Sequence, residues 1–174
     1  MSLIGQTDMS RDQYYKIIGA KTAALFSASC EVAPVLMNRS QDDIDNLRQY
    51  GYAVGMAFQI IDDVMDYKST DHQMGKKAGD DFMEGKVTLP VIIAMENATD
   101  SERETMRRSL ANHDINTLES FTALLEKYDA FGQSVAVARE FTDMARTCIA
   151  AVQTDSPLQE NLMALPDYLL KRLS

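Results

Sequence analysis

The chain has 174 residues, 45% of them hydrophobic and 25% charged, a balance that suits one folded globular domain and excludes a disordered chain. Its formal net charge of −9 excludes a nucleic-acid partner, because duplex binding needs a basic face that displaces counterions. An acidic chain can still take up an anion through a local Lys cluster, through bridging metals, or through both.

Taken in chain order, apolar residues recur at three- and four-residue spacing and no convincing run alternates with period two, so the expected fold class is all-α. The first predicted helix runs from about Arg11 to Cys30, with Ile17, Ile18, Leu25 and Phe26 as its apolar stripe. The second runs from Gln41 to Tyr67, with Gln41-Asp42-Asp43-Ile44-Asp45 reading as its cap. A Gly-, Lys- and Asp-rich segment over 68–87 then interrupts the pattern, and long irregular segments in compact domains are usually functional. Further helices are expected at Thr88–Asn97, Ser101–Ala111, Ile115–Lys127, Phe131–Val152 and Pro157–Leu173, which makes about seven. Asp100 or Ser101, and Asn116, read as amino-terminal caps. Cys30 and Cys148 have neither metal-like nor redox-like spacing and read as buried thiols in a reducing compartment. With no apolar leader and no long uncharged run, neither a signal peptide nor a membrane span is expected, and the cytoplasm is the expected location.

The chemistry is concentrated in Gly55-Met56-Ala57-Phe58-Gln59-Ile60-Ile61-Asp62-Asp63-Val64-Met65-Asp66. Gln59, Asp62, Asp63 and Asp66 fall at i, i+3, i+4 and i+7, so on a helix they share one stripe. Gly51 and Gly55 continue that stripe without side chains, leaving room for a second helix or a substrate tail to approach closely. Three carboxylates on one stripe repel one another and call for a cation. Hard oxygen ligands on a rigid helix suit Mg²⁺, which shares its shell with water and substrate phosphates. An acidic, solvated helix face carries the same pattern. The spacing excludes an EF-hand.

Downstream, Gly75-Lys76-Lys77-Ala78-Gly79-Asp80-Asp81 and Glu84-Gly85-Lys86-Val87-Thr88-Leu89-Pro90 set two Gly-Lys pairs in the loop that leaves this helix. Taken singly, Lys76 and Lys86 read as surface lysines; together they could place ammonium groups opposite the carboxylates on an anionic leaving group. Lys21-Thr22 lies among Ile18, Leu25 and Phe26, where a lysine either snorkels or supplies a third cation. His72 and His113 are isolated and carry no assigned role.

In this order and spacing the blocks resemble the trans-isoprenyl (polyprenyl) diphosphate synthases. The Glu-Gly-Lys-x-Thr-Leu-Pro form is most similar to the branch that makes octaprenyl-, solanesyl- or decaprenyl-type products. The resemblance is specific from about Tyr15 to Ala94 and runs on more weakly to the end. It implies an isoprenoid-synthase-type helical bundle that condenses isopentenyl diphosphate with an allylic diphosphate. It also implies Mg²⁺ as cofactor, with Asp62 as principal ligand and Asp63 and Asp66 holding the ion's water shell. Lys21, Lys76 and Lys86 would grip the allylic diphosphate. Thr22 and Gln59 would present oxygen dipoles to the developing cation, and Phe58 would pack beside the isopentenyl group.

The family's first Asp-rich motif has no counterpart here, so the resemblance covers the carboxy-terminal half, as a single domain over 1–174 with the 68–87 loop over the diphosphate site. The expected partners are therefore the two diphosphate substrates, the missing amino-terminal half and further copies of the chain. Such a chain is expected to have no appreciable turnover alone, and to expose apolar surface that the missing helices would cover. A non-catalytic regulatory subunit of a prenyl synthase is the alternative; a terpene cyclase fits the Gly-Lys loop less well.

Overall fold

The computed structural model describes residues 8–68, 79–154 and 156–173. Among these every element is helical. The helices are α1 (Arg11–Ile18), α2 (Ala24–Leu36), α3 (Gln41–Lys68), α4 (Asp80–Met83), α5 (Leu89–Asn97), α6 (Asp100–Asn112), α7 (Leu118–Lys127), α8 (Ala130–Ala151) and α9 (Leu158–Lys171). A π-helical turn (Gly19–Ala23) lies between α1 and α2, and a 3₁₀ turn (Ile115–Thr117) precedes α7. The chain divides into two compact units, Met1–Ile17 with Asp62–Val135 and Ile18–Ile61 with Ala136–Ser174. No described helix is long and apolar enough to cross a membrane.

The core of the first unit is built around α5. Its residues Leu89 to Met95 are buried all round, as an apolar helix without a polar face must be, and Pro90 sits in the first turn, where its missing N–H costs nothing. Phe82 of α4 meets Phe121 of α7 at 4.9 Å between ring centroids, and Tyr67 stacks on Phe121 at 6.1 Å. Each side chain of this size contributes about 1.5–3 kcal/mol by leaving water. Arg11 of α1 reaches Glu96 of α5 at 2.6 Å.

Capping corrects the sequence expectation in two places. Thr99, rather than Asp100 or Ser101, caps α6, because only Thr99 stands three residues before Glu102 and can exchange bonds with it in a capping box. Asp114, rather than Asn116, caps the 3₁₀ turn by accepting the Asn116 N–H at 3.0 Å. Glu102 also takes Lys127 Nζ at 2.5 Å and the Tyr128 hydroxyl at 2.6 Å, which ties the start of α6 to the end of α7.

In the second unit the first helical stretch outruns its predicted end at Cys30. Pro34 removes one hydrogen bond near the carboxy end without stopping the helix. Termination waits for Asn38, left-handed at φ 50°, where Arg39 N–H closes back on the Pro34 carbonyl. The acidic start of α3 is capped by Ser40, which accepts the Asp43 N–H at 3.2 Å. Asp43 itself is buried and takes Arg39 Nε at 3.1 Å. Helix α3 then passes within backbone contact of the π turn and α2. A Cβ on Gly51 would lie 2.4 Å from the Phe26 carbonyl oxygen, and one on Gly55 would lie 2.6 Å from Ala23 Cα. Tyr50 bonds the Leu162 carbonyl at 2.8 Å and so ties α3 to α9. Cys30 and Cys148 are half-buried, and burial pushes both thiols up.

The outer face of α2 is apolar and open. Leu25 is 72% exposed and Leu36 76%, with Val32, Val35 and Met37 exposed between and beside them. Leu25 thus leaves the buried stripe assigned to it from sequence. The π turn lengthens the helical repeat just before it, so a strict 3.6 period does not carry across.

Two outcomes are expected. Gly51→Ala should cost about 1–3 kcal/mol in denaturant unfolding, because its neighbours are backbone atoms that cannot turn aside. Gly19→Ala, which meets only the Tyr52 side chain, nearest at its hydroxyl at 3.0 Å, should cost much less. Second, bonds from Lys127, Thr99 and Tyr128 hold the Glu102 carboxyl down at about 2. A carboxyl lowered in the folded state stabilises above its unfolded value and loses that contribution as pH falls towards 2. In thermal melts between pH 6 and 2, Glu102→Gln should therefore flatten the acid fall in stability.

Candidate active site

The carboxylate cluster stands on the last two turns of α3, in the first unit. At about 100° per residue, Asp66 lies roughly 40° round the helix from Asp62, and Asp63 lies about 100° round in the same sense, at the far edge of the stripe. Burial follows that geometry. Asp62 and Asp66 are half-exposed, whereas Asp63 is 3% exposed. The Tyr14 hydroxyl of α1 donates to Asp63 Oδ2 at 2.6 Å, the short distance expected of a charge-assisted bond. Burial, and then the Asp63 charge, pushes the Tyr14 hydroxyl well up, so it stays a donor.

Asp66 anchors the returning chain. Its Oδ2 accepts the Asp81 N–H at 3.0 Å and its carbonyl accepts the Gly79 N–H at 2.9 Å. Gly79 can enter this turn because its φ of 86° suits glycine. Lys86 lies between two carboxylates, at 2.8 Å from Asp81 and 2.7 Å from Glu84. Burial alone would lower its ammonium, but those two partners outweigh it and hold the group above the ordinary lysine value. Thr88 precedes α5 with its backbone extended and its side chain off the helix end. The Thr88 and Tyr67 hydroxyls are both buried and near each other, without forming a well-aligned hydrogen bond. Burial, then the charges of Asp81, Asp66 and Asp63, pushes the Tyr67 hydroxyl well up.

In the second unit, Lys21 and Thr22 lie within the π turn, a feature frequent at functional sites. Lys21 is exposed. The Thr22 hydroxyl donates to Gln59 Oε1 at 2.7 Å, which orients the Gln59 amide and leaves the Thr22 oxygen able to accept. Phe58 packs against Phe26 at 5.7 Å between centroids, with the Arg172 guanidinium 5.3 Å over its ring. Lys76, and His72 with it, lie outside the described residues.

Sequence reasoning named Asp62, Asp63 and Asp66 but missed Tyr14, which carried no signal beyond an apolar position one turn before Ile18. It missed Arg172 over Phe58 for the same reason: the partner is remote in the chain. Asp81 and Glu84 were inside a recognised block, and their claim on Lys86 follows from a non-helical bend that no period describes. Among the described residues no three His, Cys, Asp or Glu side chains come together as a complete metal cage. Two half-exposed carboxylates one turn apart nevertheless fit a hard cation that completes its shell with water and phosphate oxygens.

Comparison with known proteins places the chain. The sequence profile described as Polyprenyl synthetase matches residues 2–128. The all-trans-nonaprenyl-diphosphate synthase (geranyl-diphosphate specific) of Rhodobacter capsulatus is 36% identical over 168 residues, covering 97% of this chain and 51% of the relative. Among solved structures, a decaprenyl diphosphate synthase from Rhodobacter capsulatus superposes with a TM-score of 0.90 at 37% identity, over 99% of this chain and 53% of that one. A polyprenyl synthase from Caulobacter crescentus CB15, complexed with calcium and isoprenyl diphosphate, gives 0.90 at 30% identity, over 99% and 53%. The chain thus spans about half the length of the relatives it matches. An all-α chain with an Asp-rich helix end, a Lys-Thr turn and this match over 2–128 belongs to the polyprenyl synthetase family.

Proposed function

We propose that this chain supplies one half of a prenyltransferase site that condenses isopentenyl diphosphate with an allylic diphosphate to give a long-chain polyprenyl diphosphate. The observation that carries this is the pair Asp62 and Asp66, half-exposed and one turn apart on α3, inside the stretch matched by the family. Mg²⁺ is the proposed cofactor, with Asp62 the principal ligand and Asp63 and Asp66 acting on its water shell. When bound, it would neutralise the departing diphosphate. The calcium ion named with the Caulobacter crescentus protein supports a hard divalent cation in this family.

Lys21 and Lys76 would hold the allylic diphosphate. Lys86 enters with its ammonium shared between Asp81 and Glu84, so a phosphate oxygen would have to replace one of them. Thr22 and Gln59 would present oxygen dipoles to the developing cation, with Thr22 held in place by its bond to Gln59. Phe58 would flank the isopentenyl group. The substrates are charged and water-borne, which favours the cytoplasm. The open face of α2 favours a partner that completes the fold, together with self-association into a homo-oligomer.

The chain incubated with Mg²⁺, labelled isopentenyl diphosphate and an allylic diphosphate should give no elongated product. Adding a polypeptide that carries the remaining half of a relative should restore turnover, and Asp62→Asn should lower it at least about 100-fold, the scale of losing one preorganised electrostatic contact. Product from the unmodified chain alone would overturn the half-site reading.

A further inference from the structure

Three carboxylates close together in the last turns of one helix cannot all serve one ion in the same way, and their surroundings differ. Asp63 is 3% exposed and one of its oxygens is committed to Tyr14 at 2.6 Å. Tyr14 is itself fully buried, on α1, so its ring cannot swing away without opening the core. A buried carboxylate without a donor costs several kcal/mol, so this hydroxyl also determines which side-chain conformation of Asp63 is tolerated. Asp62 and Asp66 lie on the more exposed part of the same turns.

Resting on the metal reading above, we propose that Tyr14 is a positioning residue. Its hydroxyl holds Asp63 behind the site, so that Asp63 acts on the ion only through an intervening water while Asp62 faces it. The division between a direct and an indirect carboxylate is then set from α1, two helical turns before the Lys21-Thr22 pair. Outer partners of this kind commonly change metal affinity by about 10- to 100-fold when removed.

The test is Mn²⁺ binding, followed by electron paramagnetic resonance in the presence of inorganic diphosphate, on the chain as it stands. Tyr14→Phe should weaken binding roughly 10-fold. Asp63→Asn should weaken it to a similar degree, and Tyr14→Phe with Asp63→Asn should be no weaker than Asp63→Asn alone. Asp62→Asn should lose more than either. Tyr50→Phe removes another core hydroxyl bond, to the Leu162 carbonyl; it should lower the unfolding midpoint and leave Mn²⁺ affinity unchanged.

Parent-like binding by Tyr14→Phe, or additive losses in the double variant, would overturn the inference and leave the metal reading standing. If Tyr14→Phe does not fold, the Asp63→Asn and Asp62→Asn comparison decides, since equal losses would make Asp63 a direct ligand. A parent chain that binds no Mn²⁺ with diphosphate would overturn the metal reading and this inference with it.

Discussion

Asp62, Asp63 and Asp66 occupy the last two turns of α3, where unpaired helix carbonyls already carry partial negative charge. Acidic residues at that end oppose the helix dipole by about 0.3–1 kcal/mol each, and they also repel one another. A sequence selected for stability would place lysines there. The surrounding groups offset this charge with donors: the Tyr14 hydroxyl on Asp63, the Asp81 N–H on Asp66, the Gly79 N–H on the Asp66 carbonyl. Lys86 does the same for Asp81 and Glu84. The returning chain is thereby sewn to the helix end by the charge that makes that end unfavourable. Local structure kept against a stability cost is a common mark of a functional site.

The donors come in two kinds with different consequences. Backbone N–H groups such as those of Asp81 and Gly79 are fixed once the turn forms, and at position 79 the turn itself needs glycine. The side-chain donors can be tuned, and they lie on other elements, Tyr14 on α1 and Lys86 on the approach to α5. The charge state and aim of the helix end are therefore shared among segments far apart in the chain. Asp62 and Asp66, the most open of the three carboxylates, are where an added cation gains most.

Much of this was legible in the sequence. The all-α class followed from three-four apolar spacing, and the carboxylate stripe from i, i+3, i+4, i+7. Gly51 and Gly55 were readable as points of close approach, and Phe26 and Ala23 now fill that space. The illegible features share a cause. Asp63 looks equivalent to Asp62 until a partner 49 positions away buries it. The π turn at Gly19–Ala23 adds length to a helix without leaving a compositional mark, and it moved Leu25 from an expected core stripe to solvent. Thr99 was an error of a different sort: the Thr-x-x-Glu signature was present, and the nearer Asp and Ser were preferred to it.

Gly55 carries a consequence that no side chain reveals. It touches Ala23 through backbone, one residue from Thr22 and one helical turn from Gln59, so it acts as the gauge that sets how far apart those two stand. A survey that maps function by trimming side chains has nothing to trim there. The Thr22–Gln59 bond depends on atoms that are missing at position 55, and its weakest point is a residue that touches neither partner's polar group.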